Sequence, residues 1–185
     1  MDEDSEDPAL AVKRFPSRQE RPDLYILADE WIRTQVLFVE KSRQMMVTWL
    51  FVLLYLHRTC FFQGRRTFFQ SKKEEDAKNL KKRASFTFLR LPKFLQPVYE
   101  IKETKIEFPN LESEIWAIPQ GGDHVRSYTV SGLLSDEAAF QPEFPDAYSA
   151  ALPAIGGHGK FTAVSSANGK NSWWRIVRDI QRTKR

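Results

Sequence analysis

An apolar run that ends in two adjacent acids, Thr129-Val130-Ser131-Gly132-Leu133-Leu134-Ser135-Asp136-Glu137, constrains this chain more than any other stretch of it. The run reads as a buried strand. Acids at the end of such a strand are costly unless a cation or a reaction uses them. A pair delivered in this way suits nucleotide hydrolysis: one carboxylate can hold magnesium through water, and the next can orient and deprotonate an attacking water. The competing explanation is a helix N-terminal turn, where acids favour the macrodipole.

The rest of the chain supplies a sheet for that strand. A helix is expected from Asp23, with Leu24, Ile26, Leu27, Trp31 and Ile32 as its apolar positions. Residues 35–40 read as a short buried strand, 41–44 as a polar turn and 45–58 as a buried helix. Residues 66–70 form a second strand, followed by a charged helix that Ser71 can cap, with Glu74 in the capping-box position and its lysines mostly on the wet face. Pro92 and Pro97 break the chain into a connector. Residues 105–108 and 113–118 read as a hairpin around Pro109-Asn110, residues 146–152 as a short helix, and 160–166 as a further strand. Strands alternating with helices predict an α/β fold with a mainly parallel sheet flanked by helices.

Composition narrows the functional classes. At 185 residues and 42% hydrophobic content the chain can bury one domain-sized core. No apolar run reaches the about 18 residues of a membrane span, so no membrane association is expected. Cys60 is the sole cysteine, which excludes an internal disulfide and a cysteine-cluster metal site. His57, His124 and His158 lack metal-ligand spacing and read as structural or surface residues. Residues 1–10 hold five acids and no base, so the remaining chain carries +9 against an overall +4. A basic body of this kind tolerates a polyanion such as DNA. Residues 1–22 read as an acidic tail, 23–170 as the catalytic domain and 171–185 as a basic C-terminal segment.

The turn between the first strand and the buried helix stands where a phosphate loop belongs. The standard form is G-x-x-x-x-G-K-[ST], whereas this chain reads Lys41-Ser42-Arg43-Gln44-Met45-Met46-Val47-Thr48. Thr48 occupies the magnesium-binding hydroxyl place, Val47 the lysine place and Met46 the place of the second glycine. As a generic motif this fails. The physical requirement is looser, namely backbone N–H groups at a helix start, a nearby cation and a hydroxyl, and Lys41 or Arg43 can bring the cation. Ser165-Ser166-Ala167-Asn168-Gly169 ends a later strand with small polar groups able to sense a phosphate. Arg126 follows the Gly121-Gly122 loop and could reach a neighbouring subunit's nucleotide; a surface arginine is the simpler reading. Trp173-Trp174, at the start of a segment with Arg175, Arg178 and Arg182, suggests docking against something outside the chain, or else a final helix packed on its own sheet.

In order and spacing, three of these stretches together resemble the ATPase domain of a tailed-phage terminase large subunit, the motor that packages DNA into procapsids. They are Lys41 to Thr48, with its opening lysine and Arg43-Gln44 pair, Leu133 to Phe140, with its D-E-A-A-F tail, and Ser165 to Gly169. The resemblance implies a P-loop NTPase fold of the ASCE type, with ATP and Mg2+ bound. Residues 41–48 would then hold the nucleotide, Thr48 and Asp136 the metal, and Glu137 would polarise the water. Arg126, ten residues before Asp136, would act in trans, and Ser165, Ser166 and Asn168 would couple hydrolysis to movement. It further implies double-stranded DNA, the portal protein, the small terminase subunit and other copies of the chain in a ring as partners, and the host cytoplasm during virion assembly as the location. Family members carry a nuclease domain after the ATPase, so 171–185 would begin the linker to it, and no DNA cleavage is expected from this chain. Other readings compatible with the residues are a helicase-like ATPase and an inactive nucleotide- or DNA-binding scaffold.

Overall fold

The structure is a computed structural model that describes residues 15–183; residues 1–14 of the expected acidic tail lie outside that range. Helix α1 (Pro22–Arg33) leads into β1 (Val36–Glu40), α2 (Val47–Cys60), β2 (Arg66–Gln70) and α3 (Glu74–Phe88). Then come β3 (Glu100–Ile101), β4 (Lys105–Phe108) and β5 (Ser113–Ile118), the short α4 (Asp123–Arg126), and β6 (Gly132–Asp136). The last three elements are α5 (Phe144–Ala154), β7 (Lys160–Ser165) and α6 (Ser172–Thr183). The seven strands form one sheet in the order β1-β7-β6-β2-β5-β4-β3. The β1–β7, β7–β6, β6–β2 and β2–β5 pairings are parallel, and β4 joins β5 and β3 antiparallel at one edge. The expected α/β architecture and the expected hairpin at residues 105–118 are both present.

The central strands are apolar at consecutive positions because helices cover both faces. Side chains alternate across a strand, and the alternation divides the core in two. Phe69, Leu134 and Val164 point toward α1, α2 and α3, while Phe68, Leu133, Phe161 and Ala163 point toward α4, α5 and α6. All seven are fully buried, and burial of each large apolar side chain contributes roughly 1.5–3 kcal/mol. Tyr55 of α2 packs against β6 where a Cβ on Gly132 would come within 2.5 Å of its ring. The glycine is therefore required by close approach rather than by a turn. The Tyr55 hydroxyl is bonded to Leu133 O, Lys160 O and the Thr162 hydroxyl, which also accepts from Trp31 Nε1 at 2.9 Å.

Two local expectations are corrected and one pair of alternatives is decided. Ser71 does not cap α3; the helix starts at Glu74 after an extended Lys73, with no side-chain cap, because the Ser71 hydroxyl donates instead to Asp136 O. Lys81 is not on the wet face but buried, its Nζ donating to Lys102 O at 2.8 Å. Trp173 packs inside its own domain, against Phe38 and Phe144, and its indole N–H reaches Glu40 Oε1 at 3.2 Å. Of the two readings of that tryptophan pair, the final helix packed on its own sheet is the one realised by Trp173.

Candidate active site

In a parallel sheet the C-terminal ends of the strands open onto the ligand crevice, and here β1, β6 and β7 end together. The phosphate-loop candidate leaves β1 with Lys41 N bonded to Ser165 O at the end of β7. It then turns sharply through Gln44 and Met46, both left-handed with φ of 59° and 56°. Met46 is the residue just before α2, where many loops have glycine, and it takes that conformation despite its side chain. Arg21 braces the loop from outside by donating to Met45 O at 2.8 Å while paired with Asp23. Val47, in the lysine place of the standard motif, points into the core, so no cation can come from that position.

Lys41 fills the gap from the front of the loop. Its side chain is 10% exposed and its Nζ lies 3.5 Å from Glu137 Oε1. Arg43 and Ser42 are exposed, with Arg43 at the mouth of the cleft. In the first turn of α2, the Thr48 hydroxyl donates to the Asp136 carboxylate, 3.1 and 3.3 Å from its two oxygens. Burial raises the Asp136 pKa to about 6; the neighbouring Lys41 charge pulls it down and the Glu137 charge pushes it up again. Glu137 itself is left-handed, with φ 52° and ψ 39°. Four non-glycine residues among those described have positive φ, and three of them, Gln44, Met46 and Glu137, line this cleft. Each such conformation costs on the order of 1–3 kcal/mol and is characteristic of ligand clamps.

The cleft is an inner cavity of about 550 Å³ under the α2 N-terminus that continues into an outer one of about 400 Å³. Magnesium typically takes one or two carboxylates and fills its remaining sites with water and substrate phosphates. A buried carboxylate held against a threonine hydroxyl at the start of a helix fits that pattern. No cluster of three or more His, Cys, Asp or Glu able to hold a metal exists among the described residues.

Behind the acids the chain is clasped. In the turn after Glu137, Ala139 N donates to Ser165 Oγ at 3.0 Å, and Ala139 O accepts from Asn168 at 2.9 Å and Asn171 at 2.7 Å. Ser165 and Asn168, singled out as coupling residues, thus hold the acidic turn directly; Ser166 stands partly exposed beside them. Gln141 donates to Asp136 O at 2.7 Å and to Ser135 Oγ at 3.0 Å. Asn171, Gln141 and the cleft-lining Arg83 escaped the reading of the sequence. An amide three residues after Asn168 and a polar residue just past the acidic motif were the faint signals for the first two. Arg126 is not brought to this cleft. It is half-exposed on α4, held by both carboxylate oxygens of Asp146 and 3.4 Å from Asp123.

No family model matches the sequence. Solved structures do. The HK97 bacteriophage large terminase superposes with a TM-score of 0.72 at 20% identity, over 93% of this chain and 38% of that one. The large terminase of the thermophilic bacteriophage D6E gives 0.65 at 13% identity over 92% and 44%, and it has also been solved in complex with ADP. The large terminase ATPase domain of Thermus phage P74-26 gives 0.63 at 16% identity over 89% and 74%. The chain therefore spans 38% and 44% of the HK97 and D6E proteins but most of the isolated P74-26 domain. Its seven-stranded, mainly parallel sheet and flanking helices have the fold of the phage large-terminase ATPase domain.

Proposed function

We propose that this chain is a magnesium-dependent ATPase, the motor part of a phage terminase large subunit that drives double-stranded DNA into procapsids. One observation carries the reading: Lys41, Thr48, Asp136 and Glu137 converge at the N-terminus of a buried helix, in a cleft that holds three left-handed residues. The fold shared with terminase ATPase domains supports it, as does the ADP complex of the D6E protein.

In this reading the loop N–H groups and Lys41 bind the phosphates. Thr48 and Asp136 hold Mg2+, which when bound withdraws charge from the phosphate oxygens. Glu137 accepts a proton from water as the water oxygen attacks the γ-phosphorus. The bond to the β–γ bridging oxygen breaks, and ADP and phosphate leave. The Lys41–Glu137 ion pair holds the two side chains against each other before ATP arrives. When Lys41 turns to the phosphates, Glu137 is released to face the water. Ser165, Ser166 and Asn168 transmit the change through the turn at Ala139. Arg126, on the surface, serves a neighbouring copy once it leaves Asp146. DNA, the portal, the small subunit, a ring of copies and a nuclease domain are the partners this role requires, in the host cytoplasm.

Glu137→Gln is the direct test. Phosphate release should fall by about 10²–10⁴-fold, the span of general-base contributions, while a fluorescent ATP analogue still binds. Undiminished turnover would remove Glu137 from the reaction and with it the reading of the cleft.

A further inference from the structure

The phosphate loop and the acids line the cleft together with α3. Asp76, Asn79 and Arg83 face the cleft from that helix, spaced by three and four residues so that they form one stripe. Arg83 alone of the three reaches both cavities. It lines the outer one beside Asn79 and Arg43, and the inner one beside Thr48, Asp136 and Glu137. Its guanidinium also lies 5.5 Å from the ring centroid of Trp49, a buried residue that immediately follows Thr48 in the first turn of α2. This cation–π contact ties the arginine to the helix start that would receive the phosphates and restricts the plane of its fork.

Charge gives that placement a purpose. The acid pair carries two carboxylates, and Lys41 lies against one of them. A triphosphate entering such a cleft needs a second cation besides Lys41. A planar guanidinium with paired donors matches phosphate oxygens better than an ammonium does. We propose that Arg83, reaching in from α3, contacts the γ-phosphate in cis and stabilises the charge on its equatorial oxygens during transfer. This rests on the nucleotide reading of the cleft and adds to it a catalytic arginine from the domain's own α3. It gives an isolated subunit a basal turnover that does not wait for Arg126 of a neighbour.

The test uses the full chain, with a non-hydrolysable ATP analogue, ADP and steady-state phosphate release. Arg83→Ala should weaken the ATP analogue by roughly tenfold or more, the scale of a charge-assisted hydrogen bond, and lower kcat by about 10²-fold. ADP affinity should stay unchanged. Arg83→Lys, which keeps the charge and loses the fork, should regain analogue binding but little of kcat. Equal losses for ADP and analogue, accompanied by a lower melting temperature, would reduce Arg83 to a prop for Trp49 and overturn the proposal. So would wild-type behaviour in both variants. If the unsubstituted chain binds neither nucleotide, the reading of the cleft falls and this inference with it.

Discussion

The two ends of the same parallel strands are built on opposite principles. At the N-terminal end the buried polar groups of Tyr55, Thr162 and Trp31 satisfy one another, Thr59 pairs with Thr67 at 2.8 Å, and the Lys160 ammonium is spread over the carbonyls of Trp31, Ile32 and Thr34 at the end of α1. At the C-terminal end a carboxylate is buried, and left-handed residues with side chains cluster around it. The first end holds the fold together, and the second stores unfavourable energy that a bound cation and phosphate would offset. Substitutions should therefore separate stability from activity according to the end they touch.

The largest effect on stability is expected from Tyr55→Ala, which removes a buried ring and three hydrogen bonds. Unfolding free energy should fall by about 3–5 kcal/mol, with melting lowered by about 10 °C. Phosphate release per folded molecule at low temperature should hardly change; if it collapses as well, the two ends are not independent.

At the other end the expected sign reverses. The folded-state pKa of Asp136 is about 6, above the ordinary value of an unfolded carboxyl. The folded chain thus keeps this proton better than the unfolded chain does. That contribution to stability is complete below the unfolded value and is lost as pH rises through 6. Asp136→Asn should accordingly be more stable than the wild type at pH 8 by roughly 1–3 kcal/mol in metal-free buffer, and the gap should close toward pH 4. Denaturant titrations at the two pH values decide it; an Asn variant weaker than wild type at pH 8 would mean that the Lys41 and Thr48 contacts outweigh burial.

Met46→Gly should have the smallest effect. It relieves a left-handed side chain, which returns about 1–2 kcal/mol, and it loses part of that to backbone entropy and to the contact Met46 makes with the core. A net gain below about 1 kcal/mol is expected from the same titrations. A loss would show that packing, not the loop's shape, selected methionine.

The sequence made some of this legible for a physical reason. Strands alternating with helices disclosed the mainly parallel sheet, and the consecutive apolar pairs Phe68-Phe69 and Leu133-Leu134 suit strands covered on both faces. The acid pair stood out because its burial would be costly without a purpose. Contacts between elements distant along the chain left far less trace. Ser71 looks like a helix cap until Asp136 O is beside it, and Arg83 is one more basic residue on a charged helix until α3 is laid across the cleft. The left-handed turn at Met46 was hidden because methionine is a poor advertisement for positive φ. Lys41 and Arg43 were indistinguishable as cation donors until folding placed one inside and the other at the mouth.

The clasp on Ala139 has a mechanical consequence. Its three hydrogen bonds join one residue to Ser165 at the end of β7 and to Asn168 and Asn171 in the loop that follows. Bonds arranged in this way bear a pull together instead of parting in sequence, so the acidic turn and the start of α6 should travel as a stiff lever. A displacement of Glu137 of a fraction of an ångström would then reach the far end of α6 as rotation, with little lost to stretching in between.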